Sequence, residues 1–210
     1  MSPPDRFIAL AERNGQIIDI GNFVLHTALS QAAKWCRTLQ HDFKIAINIS
    51  PIQMRNPRFV EHIADLLALY QMPPTALELE ITEGMLMQDE HLAHNAIQKL
   101  QTLGIRISLD DFGTGYSSLS YLQKYSFDTL KIDRCFINKL EENEQDRELT
   151  KAIIAIGKKL NLEVIAKGVE TLEQGAFIRN EECDLGQGYL YGKPITARQF
   201  EQEFIHKTEH

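Results

Sequence analysis

The sequence contains little cysteine. Only three cysteines, Cys36, Cys135 and Cys183, occur among its 210 residues. An odd number of widely spaced cysteines indicates neither a disulfide framework nor a cysteine-based zinc site. A chain without structural disulfides fits a reducing compartment, and we expect all three thiols to be small buried apolar groups.

Two further absences concern membranes and export. No apolar run approaches the roughly 20 residues that a membrane-spanning helix needs. The first five residues contain no basic segment followed by an apolar stretch, so they do not resemble a signal peptide. We therefore expect a cytoplasmic chain with no membrane segment of its own.

Positive charge is also scarce. Lysine and arginine together number 22 against 29 aspartates and glutamates, which gives a formal net charge of −7. An acidic surface argues against non-specific phosphate contacts, so no nucleic-acid partner is expected. A small anionic ligand is still compatible with this net charge, because a few local donors or metal ions can outweigh the average field.

The 43% hydrophobic content is typical of a soluble globular chain, and the length predicts one domain over residues 1–210.

The sequence does contain a regular alternation of helical and extended patterns. Periodicity and turn residues predict helices at residues 17–39, 59–70, 91–103, 117–124, 146–160, 172–179 and 197–206. They predict strands at residues 43–49, 77–82, 105–110, 129–133, 163–166 and 184–189. Repeated βα units of this kind form a parallel sheet, either doubly wound or closed as a barrel.

The faces of the predicted strands favour the barrel. In strand 77–82, Leu77, Leu79 and Ile81 alternate with Glu78 and Glu80. A central strand of a doubly wound sheet is apolar on both faces, whereas a barrel strand can point polar groups into the lumen. The series begins with a helix and contains six strands rather than eight. The sequence thus predicts an α/β, TIM-like (β/α) barrel that is incomplete at its N-terminal end, with the first strands missing.

Polar side chains recur at the carboxyl ends of the predicted strands. They are Asn48, Glu80, Asp110, Asp111, Lys131 and Asp133. Each residue alone is more often a loop cap or a surface charge, but in a barrel these ends converge on one mouth. Several carboxylates at one point repel each other unless a cation lies among them. Oxygen ligands suit Mg²⁺ or Mn²⁺, and an adjacent pair such as Asp110 and Asp111 could bridge two ions that hydrolyse a phosphodiester.

The loop that follows Asp110 is rich in small residues. Gly113 and Gly115 permit a positive φ and a close approach of the backbone to a ligand. The loop 111–118 is therefore either a ligand-ordered segment or simply a tight βα turn.

These residues together resemble the EAL family, the phosphodiesterase domains of cyclic di-GMP signalling. The matching strings are NIS at 48–50, ELEITE at 78–83, DDFGTGYSS at 110–118, LKID at 130–133, VIAKGVET at 164–171 and QGY at 187–189. Their order and spacing agree with the family from about residue 7 to residue 200. The DDFGTGYSS string is highly specific.

The resemblance implies roles for individual residues. Asn48, Glu80 and Asp110 would bind a first metal ion, Mg²⁺ or Mn²⁺, and Asp111 a second. Lys131 would contact the metal-bound water or the scissile phosphate. Three further residues have implied roles: Glu83 would anchor the loop 111–118, and Asp133 and Gln187 would complete the ligand site.

The resemblance also implies a reaction and partners. Family members hydrolyse cyclic di-GMP to linear pGpG. They commonly form homodimers and commonly follow a sensory or GGDEF domain, and a protein partner is a further expectation for a non-catalytic member.

The sequence departs from the family at two points. The Glu-Ala-Leu motif is absent, because only six residues precede Phe7. Lys167 occupies the position of a glutamate close to the metal ions, and an ammonium can neither accept a proton at neutral pH nor tolerate a nearby cation. Loss of a general base typically lowers a rate by about 10²–10⁴-fold.

These departures predict a catalytically impaired domain that acts as a cyclic di-GMP signalling, binding or interaction module. Lys167 would then contact a phosphate where the metal otherwise lies. The alternatives are an active cyclic di-GMP phosphodiesterase, completed by another chain, and a fragment without function of its own.

Overall fold

The computed structural model describes residues 4–39, 43–88, 90–114, 119–141 and 143–205. The α-helices in these ranges are α1 (Pro4–Asn14), α2 (Ile17–Thr38), α3 (Pro51–Met54), α4 (Phe59–Tyr70), α5 (Glu83–Gln88), α6 (Glu90–Thr102), α7 (Leu119–Lys124), α8 (Arg134–Ile137), α9 (Glu144–Lys159), α10 (Leu172–Asn180) and α11 (Ala197–Phe200). A 3₁₀ turn at Pro74–Ala76 and a π-helical turn at Glu201–Ile205 complete the helical segments. No helix in this part of the chain is both long and apolar enough to cross a membrane.

All six predicted strands are present. They are β1 (Ile45–Asn48), β2 (Leu77–Thr82), β3 (Arg106–Phe112), β4 (Thr129–Ile132), β5 (Glu163–Lys167) and β6 (Leu185–Gln187). β3 continues two residues beyond its predicted end, so Asp111 belongs to the strand. β4 stops before Asp133, because Asp133 caps the helix that follows.

The chain divides into two compact units. Unit 1 comprises Met1–Ile81, Met85–Arg106 and Thr196–His210, and unit 2 comprises Thr82–Gly84 and Ile107–Ile195. The sequence-based expectation of a single domain over residues 1–210 therefore stays a prediction.

Unit 1 is built on the parallel pair β1 and β2. Their register sets Ile47 opposite Leu79 and Asn48 opposite Glu80. The long helix α2 buries one face through residues such as Leu25 and Leu29, both 0% exposed, as its 3.6-residue period predicts. The side chains of Gln31 and Trp35 donate to Glu201 at 2.7 and 3.0 Å, which fastens α2 to the turn after α11.

Unit 2 contains four parallel strands in the order β3-β4-β5-β6. Leu130 and Val164 lie opposite each other in register and are both 0% exposed. The polar side of the same strands is buried as well, since Ser108 and Thr129 are also 0% exposed. Strands with an apolar outer face and a buried polar inner face agree with the alternation from which a barrel was predicted.

Several short elements differ from the sequence-based expectation. Helices α1, α3, α5 and α8 were not predicted, because elements of four to eleven residues carry little periodic signal. The predicted last helix, 197–206, is an α-helical turn followed by a π-helical turn that ends at Ile205, and residue 206 lies outside the described residues. The three cysteines are free, as predicted, but half-buried rather than buried.

Candidate functional site

Two neighbouring carboxylates lie near the carboxyl end of strand β3. Asp110 is 3% exposed, and Asp111 has a left-handed backbone with φ 54°. Because side chains alternate along a strand, two adjacent residues normally point to opposite faces. The left-handed conformation of Asp111 breaks this alternation, and both carboxylates reach the same cation.

That cation is the ammonium of Lys167, at the end of β5. Its Nζ donates to Asp110 Oδ1 at 2.7 Å, to Asp110 Oδ2 at 2.9 Å and to Asp111 Oδ1 at 2.8 Å. An ammonium has three protons to donate. The two Asp110 oxygens belong to one carboxylate and share one of these protons, and Asp111 accepts another. The Lys167 side chain is 23% exposed and that of Asp110 only 5%.

The environment keeps this lysine charged. Burial alone lowers the pKa of Lys167, but the hydrogen bonds and charges of Asp110 and Asp111 outweigh it, so the net pKa lies above the ordinary lysine value. A nearby opposite charge favours the ionised form. Lys167 is therefore a fixed positive charge and not a proton acceptor.

Asp133 contributes to the same region but has a structural task. Its Oδ1 accepts a hydrogen bond from the backbone N–H of Cys135 at 2.8 Å, which makes it the N-cap of α8. Burial raises the pKa of Asp133, but its hydrogen bonds with Cys135 and the charge of Lys167 outweigh this, and the net pKa is lowered. Asp133 is thus a carboxylate, and one of its oxygens is already engaged.

The other predicted site residues of unit 2 lie at or near the ends of helices and strands. Lys131 lies in β4 and is 4% exposed. Glu83 is the first residue of α5 and is 6% exposed. Gln187 ends β6 in register with Lys167, and its side chain is exposed.

The two remaining predicted ligands belong to unit 1. Asn48 ends β1 and is exposed, whereas Glu80 in β2 is 5% exposed. The β1–β2 register makes them neighbours, and the N–H of Ile49 donates to the carbonyl oxygen of Glu80 at 3.0 Å. Asn48 and Glu80, two of the three residues that the resemblance implies for the first metal ion, are therefore opposite each other in this unit.

The described residues do not fit a divalent metal ion in this arrangement. Within the described ranges, no group of three or more histidine, cysteine, aspartate or glutamate side chains could hold a metal ion. Both oxygens of Asp110 and one of Asp111 already accept from Lys167. The Mg²⁺ or Mn²⁺ site and its assigned ligands therefore stay predictions.

Sequence reasoning missed the residues that support this cluster. Cys135 supplies the N–H that fixes Asp133, and Phe136 and Gly168 pack beside the strand ends that carry the cluster. One signal was available, since aspartate is a preferred N-cap residue. The packing contacts of Phe136 and Gly168 join residues that are distant in the chain, so no local sequence pattern predicts them.

Comparison with known proteins identifies the family of the chain. A family model described as the EAL domain matches residues 1–194. The signaling protein YkoW of Bacillus subtilis is 43% identical over 205 residues, which cover 98% of this chain and 26% of YkoW. MucR of Pseudomonas aeruginosa, named a bifunctional diguanylate cyclase/cyclic di-GMP phosphodiesterase, is 40% identical over 93% of this chain and 29% of its own length. The chain spans about a quarter of the length of these curated relatives.

A solved structure confirms the fold. The chain is similar to PaMucR phosphodiesterase in complex with c-di-GMP, with a TM-score of 0.90 and 40% identity over 94% of this chain and 80% of that one. The α/β class and the incomplete TIM-like (β/α) barrel predicted from the strand faces are thereby confirmed, with six strands rather than eight among the described residues.

Proposed function

We propose that this chain, which belongs to the EAL domain family, binds cyclic di-GMP but is catalytically impaired as a phosphodiesterase. The observation that carries the proposal is the ammonium of Lys167, bound to Asp110 and Asp111 at 2.7–2.9 Å. The carboxylates that would otherwise attract a divalent metal ion already have a cation.

The charge of Lys167 opposes the binding of a metal ion. Two unit charges about 4 Å apart interact by about 4 kcal/mol at an effective dielectric constant of 20. A divalent ion placed on Asp110 and Asp111 would therefore be repelled strongly by the Lys167 ammonium, or would have to displace it. Either event weakens metal binding.

Lys167 is also unable to accept a proton from a hydrolytic water. A hydrolytic water needs a group that accepts its proton, or a metal ion that lowers its pKa. Lys167 stands where the family has a glutamate, and its pKa is raised by the carboxylates of Asp110 and Asp111, which outweigh the opposing effect of burial. It therefore cannot replace that base.

Ligand binding is less affected by the substitution. Relatives that are about 40% identical are named cyclic di-GMP phosphodiesterases or were solved with c-di-GMP, so we infer the same ligand here. The buried Lys131 supplies positive charge for a phosphate. The ammonium of Lys167 offsets the negative charge of Asp110 and Asp111, which would otherwise repel one. Charge-assisted hydrogen bonds to phosphate oxygens are the stronger kind.

A hydrolysis assay tests the proposal directly. The chain is incubated with cyclic di-GMP and Mg²⁺ or Mn²⁺, and the linear product is resolved by chromatography. We expect no product above background. Turnover of about 1 s⁻¹, an ordinary enzyme rate, would contradict the impairment and support the alternative of an active phosphodiesterase, which the names of the relatives favour.

Calorimetric titration with cyclic di-GMP forms the second half of the test. We expect equal affinity in EDTA and in Mg²⁺, because the cation of the site is part of the chain. Binding that requires the metal would contradict this mechanism, and absence of binding in both buffers would leave an interaction module or a fragment. A homodimer, a protein partner and an upstream sensory or GGDEF domain remain predictions.

A further inference from the structure

The backbone of Asp111 is held in an unfavourable conformation. Its φ of 54° is left-handed, a region that costs a non-glycine residue about 1 kcal/mol or more and persists only where the surroundings enforce it. The Thr114 hydroxyl donates to the carbonyl oxygen of Asp111 at 2.9 Å. This bond stabilises the turn from one side, and a second support is found in α8.

That support is the ring of Phe136, which is 8% exposed. A Cβ atom added to Gly113, two residues after Asp111, would lie 2.6 Å from Phe136 Cε2 and 2.8 Å from Cζ. The ring therefore lies directly against the backbone of Gly113, which has φ 95°. No side chain larger than hydrogen fits between them without a shift.

The same short helix also meets the strand that carries Lys167. A Cβ on Gly168 would lie 2.6 Å from Arg134 Cβ and 3.4 Å from Arg134 Cα. Gly168 has φ 76° and directly follows Lys167. Helix α8 thus contacts the backbone shortly after Asp111, at Gly113, and directly after Lys167, at Gly168.

The position of α8 is itself fixed at its first turn. Asp133 accepts from the Cys135 N–H at 2.8 Å, and such caps are typically worth about 1 kcal/mol. Ile137, at the other end of α8, is 0% exposed. Because α8 is anchored at both ends, its side chains can restrict the backbone positions of Gly113 and Gly168, which they contact.

We propose that Phe136 is a positioning residue for Asp111. By filling the space beside Gly113, the ring holds the left-handed turn and keeps the Asp111 carboxylate on the ammonium of Lys167. The functional importance of this contact rests on the proposed function, in which the cluster forms part of the cyclic di-GMP site.

The test compares Phe136→Ala with Phe177→Ala. Phe177 is also buried in unit 2, at 9% exposed, but its ring lies beneath the Arg147 guanidinium at 5.1 Å. Both variants lose a buried phenyl ring. The direct readout is the ¹⁵N resonance of the lysine ammonium at low temperature, assigned to Lys167 by its loss in Lys167→Met.

We expect a slowly exchanging ammonium signal in the wild type and in Phe177→Ala, and its loss in Phe136→Ala. The Kd for cyclic di-GMP should rise about tenfold in Phe136→Ala, since small displacements of binding groups are costly, and stay within twofold in Phe177→Ala. Where Phe136→Ala does not fold, Phe136→Leu is compared with Phe177→Leu.

Three outcomes would overturn the inference: an intact ammonium signal in the Phe136 variant, equal loss in both variants, or no slowly exchanging signal in the wild type. Loss of the signal only in the Phe136 variant, with a wild type that fails to bind cyclic di-GMP, would support the positioning role and refute the proposed function.

Discussion

Two lysines of unit 2 each bind an acidic residue whose backbone is left-handed. Lys167 contacts Asp111, which has φ 54°, at 2.8 Å, and Lys158 contacts Glu182, which has φ 56°, at 3.0 Å. The distances are nearly equal, but the surroundings differ. The Asp111 side chain is 41% exposed and that of Asp110, the second acceptor of Lys167, only 5%, whereas the Glu182 side chain is 81% exposed.

Because the distances are nearly equal, we expect exposure to decide what each ion pair contributes to stability. An exposed pair is typically worth about 0–1 kcal/mol, because water screens it and competes for the same atoms. A buried carboxylate without a partner is costly, since its charge has lost its hydration. Asp110 therefore needs a cation, whether an ammonium or a metal ion, and Glu182 does not.

The largest effect is expected from removing each ammonium in turn. Lys167→Met leaves Asp110 buried and unpaired, and should lower the free energy of unfolding by about 3 kcal/mol. Lys158→Met should lower it by about 0.5 kcal/mol or less. Urea unfolding in EDTA, which keeps metal ions from replacing the ammonium, measures both. Similar losses in the two variants would mean that exposure does not separate the two pairs.

A smaller effect is expected from reversing the charge and adding metal. Lys167→Glu sets three carboxylates together with no ammonium, so Mn²⁺ or Mg²⁺ should bind and raise the thermal unfolding temperature. The stabilisation reaches about 2.7 kcal/mol when the ion is present at 100 times its Kd. The wild type should not respond.

Lys158→Glu serves as the matched control, because it makes the same charge change beside an exposed carboxylate. It should show no saturable response to either ion. If the wild type were stabilised by metal as much as Lys167→Glu, the ammonium would not be what excludes the ion.

Much of the fold could be predicted because strand signals are local. The alternation of Leu77, Leu79 and Ile81 with Glu78 and Glu80 identified a strand with one polar face, and all these residues are buried, as lumen and outer-layer positions require. The same alternation predicted polar groups in a barrel lumen, and the burial of Glu78 and Glu80 agrees with this prediction. The two-residue period of a strand does not predict the backbone conformation of a residue near the strand's end, such as Asp111.

That limit explains what was missed at the site. The sequence predicted that clustered carboxylates require a cation, and it identified Lys167 as the anomalous residue. It did not predict that Lys167 would pair with Asp110 and Asp111, because this depends on the left-handed turn at Asp111. The turn is supported by Phe136, which is distant in the chain, and no local pattern reports such a contact.

The smallest effect comes from replacing the acidic member of each pair by asparagine, which tolerates the left-handed region better than most residues. Glu182→Asn should leave the free energy of unfolding unchanged or raise it by up to about 0.5 kcal/mol, because the lost pair is exposed. Lys158 also keeps its bond to the Glu182 carbonyl oxygen, at 2.9 Å.

Asp111→Asn removes a charge from the Lys167 cluster and should lower the free energy of unfolding by about 1 kcal/mol. Urea unfolding of the two variants side by side measures the difference. Equal and negligible effects would mean that Asp110 alone satisfies Lys167. The left-handed turn at Asp111 would then be held by the Thr114 hydrogen bond and the packing of Phe136 against Gly113, and not by the ammonium.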